Sequence, residues 1–131
     1  MTYHYFTERD FDRATPRCKM SDMDPTFLRK LDSAREIAGV PFIINSAYRS
    51  KEHEKAKGRD GTSSHCKGIA VDLRATNSRA LYCILHGLMK AGFTRIGIYN
   101  WGVHVDLDHE KDQQVAWRGG LKNEIGDHFG I

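Results

Sequence analysis

The sequence has few cysteines, which can crosslink a chain, and few prolines, which interrupt helices and strands. Its 131 residues contain three cysteines and three prolines. Cys18, Cys66 and Cys83 form no CxxC pair, and an odd number cannot pair completely within one chain, so we expect one disulfide bridge at most. With 40% hydrophobic residues, the composition excludes disordered, collagen-like and disulfide-stapled proteins. We expect a single domain over residues 1–131, long enough to bury its own core.

Long apolar runs and dense runs of one charge are also missing. No stretch approaches the roughly 20 apolar residues that a membrane-spanning helix needs. The formal net charge of +3 is scattered along the chain, and this does not indicate a nucleic-acid partner, which would favour clustered basic residues. A mild positive charge suits an anionic partner equally well.

Hydrophobic periodicity predicts two amphipathic helices. Asp24 and Pro25 form a capped helix start, and apolar residues then recur at helical spacing up to Gly39. A second helix is capped by Asn77 or Ser78 and ends at Gly92. Its apolar positions are Leu81, Ile84, Leu85, Leu88 and Met89. Shorter helices are expected after Thr7 and over residues 51–57, followed by a loop over residues 58–64.

Alternating and β-branched segments predict strands over residues 40–47, 68–73, 95–99 and 103–107, with residues 115–117 as a last strand. Residues 100–102 would form the turn of a hairpin. Helices before and between antiparallel strands indicate an α+β fold, in which the helices pack on one face of a small antiparallel sheet. The other face is then free to carry chemistry.

One group of side chains on that second face has the composition of a metal site. His65 precedes a predicted strand, and Asp72 lies on its non-core side, where Gly68 and Ala70 leave space. A catalytic zinc commonly has three protein ligands and an open position, and His104 is the best third candidate because it shares a strand face with Asp106. By spacing alone, a surface His–Asp pair remains the commoner explanation.

Three segments resemble a known enzyme family. Residues 63–72, SSHCKGIAVD, match the Ser-x-His-x-x-Gly-x-Ala-x-Asp signature of the zinc D-alanyl-D-alanine carboxypeptidases. Residues 46–49, SAYR, resemble the segment ahead of that signature, and residues 101–106 resemble the late segment with the third ligand. Together they span about half of the chain. The wider group, the LAS metallopeptidases, includes phage endolysins that cut L-Ala-D-Glu bonds and the hedgehog signalling domain.

The resemblance implies a Zn²⁺ ion held by His65, Asp72 and His104, in a cleft on the sheet face opposite the helices. It also implies hydrolysis of the peptide moiety of bacterial peptidoglycan, by a carboxypeptidase or an endolysin-type endopeptidase. The first eleven residues have no signal-peptide pattern. We therefore expect a protein that is cytoplasmic as encoded and acts on the wall after release or export, as in phage or prophage lysis, without a partner subunit.

The same resemblance gives roles to residues around the metal. Arg49 would hold a carboxylate or carbonyl of the stem peptide, a task suited to its rigid fork of donors. Ser63 would donate to the substrate or order the loop. Tyr48 and Trp101 are further candidates for substrate contact.

The sequence departs from the best-known members at the catalytic acid. They place Glu or Asp three residues before the last ligand, where this chain has Trp101. Asp106 is the nearest carboxylate and would either act as the base or orient a histidine ring. Further alternatives are Glu52, Asp60 and Asp108, if a loop folds over the metal. The missing acid also leaves open an inactive, zinc-stabilised module that binds cell-wall peptide or a protein partner.

Overall fold

The computed structural model describes residues 2–119, which form a five-stranded sheet and four α-helices. The helices are α1 (Glu8–Asp12), α2 (Pro25–Ala38), α3 (Lys51–Ala56) and α4 (Ser78–Lys90). The strands are β1 (Ile44–Ser46), β2 (Ala70–Arg74), β3 (Arg95–Tyr99), β4 (Gly102–Asp106) and β5 (Val115–Arg118). Two 3₁₀ turns, Met20–Asp22 and Ser64–Lys67, complete the described elements. Among these residues, no helix is long and apolar enough to cross a membrane.

The two long helices form where their capping residues place them. The Asp24 side chain accepts a hydrogen bond from the Phe27 amide at the start of α2, and Gly39 ends that helix in the left-handed conformation with φ 71°. The Asn77 side chain accepts from the Ala80 amide and caps α4. Both predicted helices are therefore confirmed within one or two residues of their expected ends.

Helix α4 packs closely on α2 through a small residue. A Cβ atom at Gly87 would collide with the carbonyl oxygen of Ala34 in α2, so glycine permits the close approach. Met89, which was expected on the apolar face, is 56% exposed. Cys83 is only half-buried on the same helix, and all three cysteines are free.

The sheet has the order β1-β2-β4-β3-β5. Val71 and Leu73 of β2 and Val103 and Val105 of β4 are fully buried and belong to the same core cluster as the helices. Because side chains alternate along a strand, the residues between them point to the opposite face. The expected α+β architecture, with helices on one face of the sheet, is confirmed.

Two strands differ from the sequence-based expectation. Strand β1 has three residues instead of eight, because Pro41 cannot donate a ladder hydrogen bond and its pairing with β2 is irregular between Ile44 and Ser46. Strand β5 pairs in parallel with β3, so the sheet is mixed rather than wholly antiparallel. The end of β4 lies beside the start of β3, because the two strands are antiparallel. A short connection from the end of β4 leads to the start of β5, which therefore runs in the same direction as β3.

Candidate metal centre and cleft

Three potential ligand atoms converge on the sheet face opposite the helices. Asp72 of β2 and His104 of β4 are directly paired across the two strands, and His65 reaches them from the Ser64–Lys67 turn. Oδ1 of Asp72 lies 3.2 Å from Nε2 of His65 and 3.0 Å from Nδ1 of His104. All three ligand atoms lie within 4.8 Å of one another. The structure thus brings together the three predicted ligands.

Each histidine ring is fixed through the nitrogen that does not face Asp72. Nδ1 of His65 lies 2.6 Å from the Ala47 carbonyl oxygen, and Nε2 of His104 lies 2.8 Å from Oδ2 of Asp106. Both oxygens can only accept, so these nitrogens carry the ring hydrogens. When the rings are neutral, the remaining nitrogens, which face Asp72, have lone pairs that a metal ion could use, and this is the arrangement of metal-ligating histidines. The donor set therefore fits a divalent cation.

The charges around this point favour a cation. Burial alone would raise the pKa of Asp72, but hydrogen bonds with His104 and His65 outweigh it and hold that pKa well below its usual range. Burial would lower the pKa of His104, yet its hydrogen bonds with Asp106 and Asp72 raise it above the usual value. The two carboxylates that stabilise an imidazolium would equally stabilise a metal ion.

Asp106 is an ion-pair partner with both oxygens engaged. Its Oδ1 accepts from Nε of Arg95 at 2.8 Å and from the Asp108 amide at 3.0 Å, while Oδ2 accepts from His104. The residue is 1% exposed. Burial opposes ionisation, but the bond from His104 and the Arg95 charge lower the pKa of Asp106. These contacts fix the carboxylate and leave it weakly basic.

The cleft beside the ligands has a volume of about 270 Å³. Its other lining residues are Arg49, Ser63, Ser64, Arg95, Tyr99, Trp101, Asp106, Lys111 and Trp117. Arg49, Ser63 and Trp101 thus line the cleft, and their contact with substrate stays a prediction. Tyr48 does not line the cleft; it is partly buried and packs against the hydrophobic core, and its predicted contact with substrate is not supported.

The family model described as Peptidase M15 matches residues 5–108 of the chain. The chain belongs to the peptidase M15 family. The family resemblance inferred from the three sequence segments is confirmed, and M15 peptidases are metallopeptidases. The His65, Asp72 and His104 group is accordingly the metal-binding candidate of an M15 domain.

A solved structure supports the fold of this M15 domain. The crystal structure of Serratia marcescens L-Ala D-Glu endopeptidase ChiX matches it with a TM-score of 0.50 and 17% sequence identity. The match covers 76% of this chain and 90% of that one. At this identity the likeness shows a shared fold. A search among curated proteins finds no match.

Three other carboxylates considered as the acid of this M15 domain do not line the cleft. Glu52 is exposed on α3, and Asp60 accepts hydrogen bonds from the amide and hydroxyl of Thr62. Asp108 accepts from the Ser64 hydroxyl at 2.7 Å. Among residues 2–119, the carboxylates lining the cleft are Asp72 and Asp106.

Gly68, the glycine of the signature segment, is required for a different reason from the one expected. Gly68 has φ 72°, and a Cβ atom there would collide with the carbonyl oxygen of Asp22. It ends the turn that carries His65 and allows that turn to pack on the backbone of the Met20–Asp22 turn. The explanation that Gly68 makes space for metal and substrate is therefore wrong.

Asp108 fastens the ligand turn of the M15 domain to the segment after β4. It is 1% exposed and accepts from Ser64 and, with both oxygens at 3.0 Å, from Nζ of Lys67. Burial opposes ionisation, but these hydrogen bonds lower the pKa of Asp108 to about 2. Sequence reasoning missed this contact because Ser64 and Asp108 are 44 positions apart.

Aromatic rings form one wall of the M15 cleft. Tyr99 and Trp101 are stacked, with ring centroids 4.9 Å apart and planes at 12°. The indole nitrogen of Trp117 donates to the Tyr99 hydroxyl at 2.9 Å. A Cβ atom at Gly97 would lie 2.6 Å from that indole, so only glycine on β3 lets the Trp117 ring lie against the strand. Trp117 and Lys111 lie outside the three segments that resemble the family, and the sequence therefore did not indicate them as cleft residues.

Proposed function

We propose that this M15 protein is a zinc-dependent peptidase that hydrolyses the peptide moiety of bacterial peptidoglycan. The observation that carries the proposal is the convergence of Nε2 of His65, Oδ1 of Asp72 and Nδ1 of His104 beside an open cleft. Two imidazoles and one carboxylate form a donor set that catalytic zinc uses, with a position left for water or substrate.

Zinc bound to these ligands would polarise the scissile carbonyl and acidify a water molecule. The residues of the chain would orient the metal ligands. Asp106, held by Arg95 and the Asp108 amide, keeps the His104 ring turned with Nδ1 toward Asp72. We assign Asp106 this positioning role; it is also the one lining carboxylate among residues 2–119, besides the ligand Asp72, that could receive a proton.

The charges of the cleft support an acidic peptide as substrate. Arg49 and Lys111 both line it, and Arg49 would bind a substrate carboxylate or carbonyl, with Ser63 and Trp101 alongside. Stem peptides of the bacterial wall carry free carboxylates, and ChiX, which shares this fold, is an L-Ala D-Glu endopeptidase. We propose action on the wall after release or export, as in phage or prophage lysis.

Mass spectrometry of purified peptidoglycan fragments tests this proposal. Fragments are analysed before and after incubation with zinc-loaded protein. Loss of a terminal D-Ala would identify a carboxypeptidase, while two complementary fragments with a new N-terminus would identify an endopeptidase. Unchanged masses at a zinc content of one ion per chain would contradict hydrolysis.

A second candidate is a zinc-stabilised module that binds wall peptide or a protein partner without cutting it. Trp101 occupies the position of the family acid, and both oxygens of Asp106 are already engaged. This specific observation favours the binding module. Retention of the protein on purified peptidoglycan without release of new amines would support it, and any measured cleavage would exclude it.

A further inference from the structure

A carboxylate that is shielded from solvent lies close to the cleft without lining it. Glu54, near the end of α3, is 0% exposed. An ionised carboxylate in such a position requires charged partners, and two arginines provide them. Nη1 of Arg59 lies 2.9 Å from Oε2 of Glu54, and Nε of Arg49 lies 3.6 Å from the same oxygen.

The two arginines have different surroundings. The Arg59 side chain is 53% exposed, and its backbone amide also donates to the Glu54 carbonyl oxygen at 2.9 Å. Arg59 therefore anchors the end of α3 and its carboxylate from the protein surface. The Arg49 side chain is 19% exposed and lines the cleft beside the metal ligands.

The contact between Glu54 and Arg49 is an ion pair without a hydrogen bond. Within residues 2–119, Nε of Arg49 and Oε1 of Glu54 are both buried without a hydrogen-bond partner. The carboxylate of Glu54 therefore attracts the Arg49 guanidinium by charge, without a hydrogen bond to its Nε atom. One negative charge shared by two arginines also leaves a net positive charge, which Arg49 presents at the cleft.

The backbone of Arg49 is fixed independently of this pair. Its amide donates to the His65 carbonyl oxygen at 3.2 Å, and Ala47, two residues earlier, accepts from the His65 ring. The direction of the Arg49 side chain is not fixed by these backbone contacts, because the side chain is long and flexible and has considerable rotamer entropy. Within residues 2–119, Glu54 is the acidic residue that forms an ion pair with this side chain.

We infer that Glu54 is a positioning residue that holds the Arg49 guanidinium at the cleft for an anionic group of the bound peptide. This inference rests on the proposed function, in which Arg49 binds the substrate. It assigns a role in substrate affinity to a residue that touches neither metal nor substrate.

The test compares Glu54→Gln with Glu52→Gln, a matched control that removes the same charge from the exposed side of α3. Steady-state kinetics on a wall tetrapeptide should show KM raised about tenfold for Glu54→Gln, with kcat within about twofold. Glu52→Gln should match the wild type. Zinc content and thermal unfolding show whether each variant is folded and loaded; if Glu54→Gln is not folded, Glu54→Asp, which keeps the charge, replaces it and should give a smaller rise in KM.

A double-mutant cycle separates positioning from a general structural effect. Glu54→Gln introduced into Arg49→Ala should add less than about twofold to KM, because the side chain it acts through is gone. Additive effects of the two substitutions, or an unchanged KM in folded Glu54→Gln, would overturn the inference.

The outcome is distinguishable from failure of the proposed function. If the wild type binds the tetrapeptide without cleaving it, the proposed hydrolysis fails, and the dissociation constant takes the place of KM in the same comparison and cycle. If the wild type neither binds nor cleaves, both the proposed function and the inference are overturned.

Discussion

Nε2 of His104 lies 2.8 Å from Oδ2 of Asp106, and this contact turns Nδ1 of the same ring toward Asp72. The Asp106 carboxylate is in turn held by Arg95 at 2.8 Å. A chain of contacts from Arg95 through Asp106 to His104 thus fixes the orientation of one candidate ligand ring. Ligand geometry here depends on residues behind the ligands as much as on the ligands themselves.

Substitution of Asp106 separates its two proposed roles. Asp106→Ala removes the acceptor for His104 and should weaken zinc affinity about 10–100-fold. Asp106→Asn keeps an oxygen that can accept from the ring, so we expect zinc affinity within a few-fold of the wild type. Competition with a chelator measures both. If Asp106→Asn retained full zinc but lost more than about 100-fold in kcat, Asp106 would be the proton acceptor instead.

Arg49→Ala should weaken binding of an acidic peptide without affecting the metal. We expect KM to rise about 10–100-fold, because a charge-assisted contact with the substrate is lost. Zinc content should stay at the wild-type level. Arg74→Ala, which removes an exposed arginine at the end of β2, is the control and should be silent. Equal effects of the two substitutions would show that Arg49 acts only through net charge.

The lowered pKa of Asp108 predicts that the folded protein becomes less stable in acid. Its pKa is lowered to about 2 in the folded protein, against about 4 in an unfolded chain. A depressed carboxyl pKa stabilises the folded state above the unfolded pKa, and this contribution disappears as the pH falls from about 4 to 2. Its size is about 2 kcal/mol for such a shift.

Urea unfolding of Asp108→Asn at several pH values checks this expectation. The variant should be about 2 kcal/mol less stable than the wild type at pH 7, and the difference should shrink below pH 4. Glu52→Gln should show no such pH dependence, because Glu52 is exposed. A stability difference that stays constant down to pH 2 would contradict the assigned pKa.

Gly97→Ala should disturb the aromatic wall of the cleft. The new Cβ atom would lie 2.6 Å from the Trp117 indole, and the ring is 5% exposed with its nitrogen bonded to Tyr99. The ring must therefore shift, and overpacking of this kind costs about 1–3 kcal/mol. Chemical unfolding followed by tryptophan fluorescence measures the loss. A variant as stable as the wild type, with unchanged fluorescence, would show that the ring does not lie against β3.

The elements that the sequence predicted best are those with local signals. Caps at Asp24 and Asn77 define the starts of α2 and α4, and the alternation around Asp72 and His104 predicts two strands with these side chains on the polar face. The pairing of Asp72 with His104 across β2 and β4 then follows from antiparallel neighbours. The ligand set required the family signature as well, because spacing alone does not distinguish ligands from a surface pair.

Features that depend on contacts distant in sequence were not predictable in this way. The parallel pairing of β5 depends on where the chain leaves β4, and the Ser64–Asp108 bond joins positions 44 residues apart. Tyr48 was a candidate for substrate contact beside Arg49, yet adjacent side chains on an extended segment point in opposite directions. Tyr48 therefore packs on the core while Arg49 lines the cleft.

The proposed zinc centre is tested by comparing zinc content and peptidoglycan cleavage in the wild type, His65→Ala and the control His86→Ala, whose histidine is exposed on α4. We predict one zinc ion per chain and cleaved stem peptides for the wild type and His86→Ala, and loss of both for folded His65→Ala. If His65→Ala kept its zinc and produced the same fragment masses at the same rate, the metal centre would not be at His65, Asp72 and His104.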